Sequence, residues 1–188
     1  GVSRGYLRRP CSTSWQAESV FGELILLRHA KSAWPVGIRD IERPLSARGQ
    51  RNATRFGEML IAQELIPDVV VCSPAARTRE TWQLVAQAGG FEPESVQVDR
   101  RLYAATWWDV LDVVRELPAE ATRALIIGHN PSVEDLAGQL SGPGSDANAV
   151  RGMRAKFPTC AAASLHSDQQ WNRWGGQCAS LRRFWTPR

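Results

Sequence analysis

Two of the three histidines in this chain of 188 residues lie at the ends of unbroken apolar runs. His29 comes after such a run and after Arg28, His129 ends a similar run, and Arg77 follows a third. Arginine offers a planar fork of donors for phosphoryl oxygens. A neutral imidazole can act as a nucleophile near pH 7, because its unperturbed pKa is about 6.5. These four residues predict a pocket that binds a phosphoryl group and can transfer it to a histidine.

The apolar runs predict the strands that would position these side chains. Residues 24–28, 68–72 and 124–128 are strand candidates whose apolar residues are consecutive rather than alternating, which is typical of strands buried on both faces. The carboxyl ends of parallel strands meet at one edge of a sheet. We therefore expect 28–29, 73–77 and 129–130 to converge there.

Capping residues predict four helix starts between and after these strands. Serine or asparagine before proline can accept from the free amides, and proline suits the first helical position. Threonine with an acid three residues later predicts a capping box. The predicted starts are Ser46, Ser73-Pro74, Thr106 with Asp109, and Asn130-Pro131; the first helix carries Ala53, Phe56, Leu60 and Ile61 and fades by Pro67, and the second runs to Gly89-Gly90.

The remaining segments complete the predicted architecture. Residues 96–98, 160–165 and 178–184 are strand candidates, and the glycine- and proline-containing segment 141–156 is predicted to be a loop over one face. Alternating strands and helices predict an α/β fold, a three-layer α/β/α sandwich with a mostly parallel central sheet.

Length and charge indicate one domain without a nucleic-acid footprint. We expect a flexible N-terminal leader over residues 1–22 and one domain over 23–188. The formal charge is +4, with about +2 from residues 1–20 and +4 from residues 171–188, which leaves the middle near −2. The basic charge therefore comes from the ends, and no nucleic-acid partner is expected.

The four cysteines are scattered without a metal-binding or disulfide pattern, and no apolar run is long enough to span a membrane. We therefore expect a cytoplasmic protein with no metal and no membrane partner. The oligomeric state has no signature in the sequence.

Four motifs together resemble the histidine phosphatase superfamily, which has the phosphoglycerate mutase-like fold, and within it the SixA-type phosphohistidine phosphatases. The resemblance covers about residues 23–186. The motifs are Leu-Leu-Arg-His-Ala-Lys-Ser (26–32), Glu-Arg-Pro-Leu-Ser-Ala-Arg-Gly (42–49), Cys-Ser-Pro-Ala-Ala-Arg-Thr (72–78) and Ile-Ile-Gly-His-Asn-Pro (126–131).

The resemblance implies a role for each matching residue. His29 would be the nucleophile that forms a phosphohistidine intermediate, while Arg28, Arg77 and His129 hold the phosphoryl group. No metal or other cofactor is implied. Lys31 and Ser32 are candidates for the rim of the phosphate pocket, with solvated loop residues as the alternative.

The chain departs from the mutase and acid-phosphatase branches in one respect. Those branches place a glutamate as general acid after the third strand, whereas residues 100–104 contain no carboxylate. Tyr103, with an unperturbed pKa of about 10, is a poor substitute near neutrality. Asp40 and Glu42 are candidates for the acid. Because a leaving imidazole can be protonated near neutral pH, the departure favours a P–N substrate over an unactivated phosphate ester.

These observations predict a phosphatase for phosphohistidine in a protein. One alternative is a phosphatase of small phosphate monoesters, in which segment 141–156 serves as a lid. The other is a non-catalytic module that binds phosphorylated ligands. The expected partner is thus a phosphorylated protein or a small phosphorylated substrate.

Overall fold

The first strand, β1 (Glu23–Arg28), lies in the interior of the sheet and is buried on both faces. Leu24 and Leu26 pack with one helical layer, and Ile25 and Leu27 pack with the other, because successive side chains of a strand point to opposite faces. The structure, a computed structural model, describes residues 22–187. The predicted leader therefore lies outside the described residues, apart from Gly22.

Within residues 22–187 six strands form one sheet in the order β3-β2-β4-β1-β5-β6. The first four in that order are mutually parallel, whereas β5 and β6 pair in antiparallel fashion. The mostly parallel sheet is confirmed, and each predicted strand starts or ends within two residues of the observed one. The other strands are β2 (Val69–Cys72), β3 (Gln97–Val98), β4 (Arg123–Gly128), β5 (Ala162–His166) and β6 (Ser180–Trp185).

Helices cover both faces of this sheet, so the predicted α/β/α sandwich is confirmed. On one face lie α1 (Ala47–Ala62) and α2 (Ala76–Gly89). On the other lie α3 (Trp107–Arg115), α4 (Ser132–Leu140) and α5 (Ala147–Ala155). None of the helices between residues 22 and 187 has the length and apolar character needed to cross a membrane.

Two predicted helix starts are confirmed. Ser46 accepts a hydrogen bond from the Gly49 amide at 3.1 Å and caps α1. Thr106 and Asp109 form the reciprocal capping box of α3. Ile61, predicted on the core face of α1, is instead 42% exposed. Ile61 is the next residue after the buried Leu60, and successive helical residues point in different directions, so its side chain faces away from the sheet.

The starts predicted at Ser73 and Asn130 are wrong. Helices α2 and α4 begin at Ala76 and Ser132, after the cap residues Ala75 and Pro131. The Ser73 side chain contacts a histidine instead, and the Asn130 amide donates to the Glu134 carboxylate and the Phe157 carbonyl. Tertiary contacts thus compete successfully with local capping.

The loop predicted over 141–156 is also wrong, because it contains helix α5. Asp146 caps this helix by accepting from the Ala149 amide at 2.8 Å. Ala149 and Met153, four residues apart, are its buried face. The helix breakers of the segment precede this cap or, in the case of Gly152, are tolerated inside the helix.

Candidate active site

A pocket of about 310 Å³ lies at the carboxyl edge of the parallel strands. Arg28 ends β1 and His29 follows it, His129 follows β4, and Arg77 lies in the first turn of α2. Loops supply the other walls. The pocket is lined by Arg28, His29, Lys31, Ser32, Trp34, Asp40, Arg43, Arg77, Tyr103, Ala104, His129, Asn130 and Thr159.

His29 has its tautomer set by the backbone. Its Nδ1 lies 2.7 Å from the Ala30 carbonyl oxygen, which can only accept, so Nδ1 carries the proton and Nε2 has a free lone pair. The Ala30 amide in turn donates to Thr81 Oγ1 at 3.0 Å. Burial, together with the positive charges of Arg77 and Arg28, lowers the His29 pKa to about 4. His29 is therefore a neutral imidazole at physiological pH.

His129 lies beside His29, with 5.1 Å between the ring centroids. Its Nε2 is 2.8 Å from Ser73 Oγ, and its Nδ1 is 3.4 Å from Nη2 of Arg77. Because a guanidinium only donates, Nδ1 accepts and Nε2 donates to the serine. Burial and the neighbouring His29 and Arg77 lower the His129 pKa to about 3.

The two arginines are held by backbone carbonyls. Nη1 of Arg28 donates to the Phe157 carbonyl at 2.8 Å, and Nη1 of Arg77 donates to the Asp40 carbonyl at 2.7 Å. Both are thus oriented before a ligand arrives, which suits the recognition of an oxyanion.

Asp40 is the only carboxylate among the residues that line the pocket in the described part of the chain. It accepts hydrogen bonds from Arg43 at 2.9 Å, Tyr103 at 2.9 Å and Arg77 at 3.1 Å. These bonds, the one from Arg43 foremost, hold its pKa at about 2. Asp40 is therefore ionised near neutral pH.

The other predicted site residues divide between the pocket and the surface. Lys31 and Ser32 line the pocket, and Ser32 is buried and accepts from Arg43. Glu42 does not line it and instead pairs with Arg39 at the surface. Residues 22–187 contain no group of three or more His, Cys, Asp or Glu side chains arranged as metal ligands.

Arg43 in the pocket wall and Ser73 behind His129 contribute to the site and are not among the residues predicted for it. Arg43 is buried, reaches Asp40, and stacks 3.2 Å from the centroid of the Trp34 ring. Its signal was its place in the motif over 42–49. The sequence predicts Ser73 as a helix cap, and only its distance to His129 shows its contact with the site.

The arrangement can support phosphoryl transfer to a histidine. A neutral imidazole with a free Nε2 stands among cationic donors, which would stabilise the charge on phosphoryl oxygens in the transition state. The ionised carboxylate of Asp40 competes with such a ligand for the guanidinium of Arg77.

Comparisons with known proteins agree with this geometry. Residues 24–132 match the family model of the histidine phosphatase superfamily (branch 1). An uncharacterized protein of Mycobacterium tuberculosis is 37% identical over 163 residues, which are 86% of this chain and 100% of that protein.

Two solved structures are similar over most of their length. A putative phosphohistidine phosphatase SixA from Nakamurella multipartitia has 31% identity and a TM-score of 0.74, covering 88% of this chain and 96% of that chain. A putative phosphohistidine phosphatase SixA from Agrobacterium tumefaciens has 26% identity and a TM-score of 0.72, covering 88% and 99%.

Proposed function

This chain belongs to the histidine phosphatase superfamily and is a hydrolase acting on phosphoryl groups, and we propose that its substrate is phosphohistidine in a protein. The observation that carries this choice of substrate is that Asp40, the only carboxylate lining the pocket within residues 22–187, accepts hydrogen bonds from Arg43, Arg77 and Tyr103 and so is not placed as a proton donor. Two structural relatives, themselves putative phosphohistidine phosphatases, support the same choice.

In the proposed first step, His29 acts as the nucleophile. Its Nε2 attacks phosphorus, the P–N bond of the substrate breaks, and the electron pair goes to the leaving imidazole, which takes a proton from water. Arg28, Arg77 and His129 hold the phosphoryl oxygens meanwhile. The lowered pKa keeps His29 unprotonated and able to attack.

In the second step, water attacks the phosphorus of phospho-His29. The P–N bond to His29 breaks, Nε2 recovers its electron pair, and inorganic phosphate leaves. The released phosphate keeps both protons of the water and leaves as dihydrogen phosphate, so the step balances without a general base.

The chemistry of the leaving group favours phosphohistidine over a phosphate ester as the substrate. An alkoxide needs a proton from a general acid as it departs, and such catalysis is worth about 10²- to 10⁴-fold. A carboxyl group with a pKa of about 2 holds almost no proton at neutral pH. An imidazole is stable as a neutral or protonated leaving group under the same conditions, so a P–N bond suits this pocket better.

The surroundings of the pocket favour a protein substrate. None of the residues 141–156, the proposed lid of a metabolite enzyme, lines the pocket. Trp34 at the rim is 74% exposed, and Val36 and Ile38 in the same loop are 102% and 44% exposed. Exposed apolar side chains next to an open pocket suit contact with another protein surface.

A labelling experiment tests the nucleophile. After rapid mixing with a peptide that carries ³²P-phosphohistidine, we expect transient label on His29 of the wild-type enzyme. His29→Gln should lower kcat/KM by about 10³-fold or more and take up no label. His166→Gln is the matched control, because His166 lies outside the pocket and this variant should behave as wild type.

Substrate comparison tests the P–N preference. We expect kcat/KM for the phosphohistidine peptide to exceed that for serine phosphate and sugar phosphates by about 10²-fold or more. Equal turnover of the monoesters would assign the enzyme to small metabolites. Phosphopeptide binding without label on His29 would indicate a non-catalytic module.

A cytoplasmic location belongs to the same proposal. Cys72, Cys160 and Cys178 are free thiols, which is typical of proteins from reducing compartments.

A further inference from the structure

A second, larger groove of about 870 Å³ lies next to the catalytic pocket. We call it the basic groove. Its walls come from the two ends of α1, from α5 with the segments on either side of it, and from β6 with the residues that follow it. The side chains used in the argument below are Arg48, Lys156, Thr159, Arg182, Arg183 and the aromatic Phe184.

The groove carries an excess of positive charge. Arg48, Lys156, Arg182 and Arg183 line it and are exposed, and none of them belongs to an ion pair within residues 22–187. Asp146 is the only acidic residue among the described lining residues, and its carboxylate is engaged in capping α5. The charge of Arg183 also acts on Glu23, whereas Arg48, Lys156 and Arg182 have no acidic partner among the described residues. Together these cations create an attractive potential for an anionic ligand.

A β-bulge places two of these cations side by side. Ser164 of β5 pairs with Arg183, and the next β5 residue, Leu165, pairs with Leu181, so Arg182 is an extra residue in β6. Neighbours on a regular strand point to opposite faces. Here both Arg182 and Arg183 line the groove, and the half-buried Phe184 adds an aromatic surface.

The basic groove continues into the catalytic pocket. Thr159 lines both cavities. Lys156 of the groove is followed by Phe157, whose carbonyl accepts from Arg28 of the pocket at 2.8 Å. A chain held in the groove can therefore present a neighbouring residue to the pocket.

We propose that the basic groove binds an acidic segment of the phosphorylated protein next to its phosphohistidine. The proposal rests on the proposed function and adds the chemistry of the flanking sequence to it. Arginines beside an aromatic residue are a composition common at protein interfaces, and opposite charge raises the rate of encounter and selects the partner.

Charge reversal in the groove tests the proposal. The substrates are two phosphohistidine peptides, with glutamates or with serines beside the phosphohistidine, and phosphoramidate, which has no flanking residues. We expect the wild-type enzyme to prefer the acidic peptide and to lose this preference in high salt. Arg182→Glu should lower kcat/KM for the acidic peptide about 10-fold, mainly through KM, and leave phosphoramidate unchanged.

Matched variants keep the test independent of folding. Arg173→Glu makes the same charge change at an exposed residue outside both cavities and should leave all three substrates unaffected. Arg48→Glu reverses a charge on a different element of the groove and should repeat the effect of Arg182→Glu. Equal turnover of both peptides by the wild-type enzyme, or an equal loss on all three substrates in both groove variants, would overturn the proposal.

Binding separates this proposal from the proposed function. If the enzyme hydrolyses no phosphohistidine substrate, the proposed function fails, yet a fluorescent glutamate-rich peptide should still bind the wild-type protein more tightly than Arg182→Glu. Absence of that difference would overturn the groove proposal. Tighter binding of a single-stranded oligonucleotide than of the acidic peptide would overturn it in favour of a nucleic acid.

Discussion

Single hydrogen bonds decide which nitrogen each pocket histidine offers to a ligand. The Ala30 carbonyl accepts a hydrogen bond from Nδ1–H of His29, so Nε2 keeps a free lone pair. The partner of His129 is a hydroxyl, Ser73 Oγ, which can accept from Nε2 or donate to it. When a phosphoryl oxygen replaces Arg77 at Nδ1 of His129, a donating Ser73 would allow Nδ1 to carry the proton. Ser73 is thus a positioning residue for His129.

We expect Ser73→Ala to lower kcat about 10-fold, because His129 loses the hydrogen bond that orients its ring. Nitrogen chemical shifts of the imidazole report the tautomer directly. In the variant, His129 should lose its single tautomer while His29 keeps Nδ1–H. An unchanged His129 tautomer together with an unchanged kcat would show that Ser73 only fills space.

At the scale of elements, the start of α1 holds the loop that completes the pocket. The Ser46 amide and Oγ both donate to the Lys31 carbonyl, at 2.8 and 2.9 Å. Ser32 and Leu45 form an isolated β-bridge. The loop between Ser32 and Leu45, which these contacts hold in place, brings Asp40 into the pocket. Gly49 permits the close approach, since a Cβ there would lie 2.1 Å from the Lys31 carbonyl oxygen.

We expect Gly49→Ala to lower the free energy of unfolding by about 1 to 3 kcal/mol, because α1 and the Lys31 backbone must separate. Displacement of Lys31 should also raise KM. Gly138→Ala is the matched control: this helical glycine has open space around its Cβ position, and alanine should stabilise α4 by up to about 1 kcal/mol. Urea unfolding measures both. Equal stability of the two variants would contradict the tight contact.

At the scale of the whole molecule, folding buries two histidines in their neutral form. The pKa of His29 falls to about 4 and that of His129 to about 3, whereas both titrate near 6.5 in the unfolded chain. Between these values the unfolded state binds more protons. The contribution of these two histidines to the free energy of unfolding is therefore fully present above about pH 6.5 and declines as the pH falls toward 4.

We expect the free energy of unfolding to fall between pH 7 and pH 5, by no more than about 1.4 kcal/mol per pH unit for each histidine. The depressed pKa of Asp40 acts only at lower pH, because this carboxyl titrates below 4 in both states. In a His29→Gln, His129→Gln double variant the free energy of unfolding should depend less steeply on pH in this range. Urea unfolding at several pH values tests this, and parallel slopes in the two proteins would contradict it.

The strands and the convergence of their ends could be predicted from the sequence, because consecutive apolar residues indicate burial on both faces and parallel strands end at one edge. The helix starts at Ser46 and Thr106 could also be predicted, because each cap depends on residues only three positions apart. The sequence does not predict helix α5, because glycine and proline at 142–144 precede the cap at Asp146 and indicate a loop. The role of Ser73 has no local signal, because its partner His129 lies 56 residues away.

The sequence by itself determined the α/β/α fold and the predicted set Arg28, His29, Arg77 and His129, because local periodicity and strand ends carry that information. Only the tertiary structure decided that Asp40 lies against Arg77, 37 residues away, and that Arg182 joins a groove beside the pocket. Such partners depend on how distant segments pack and on a bulge in one edge strand, and neither has a local signature in the chain.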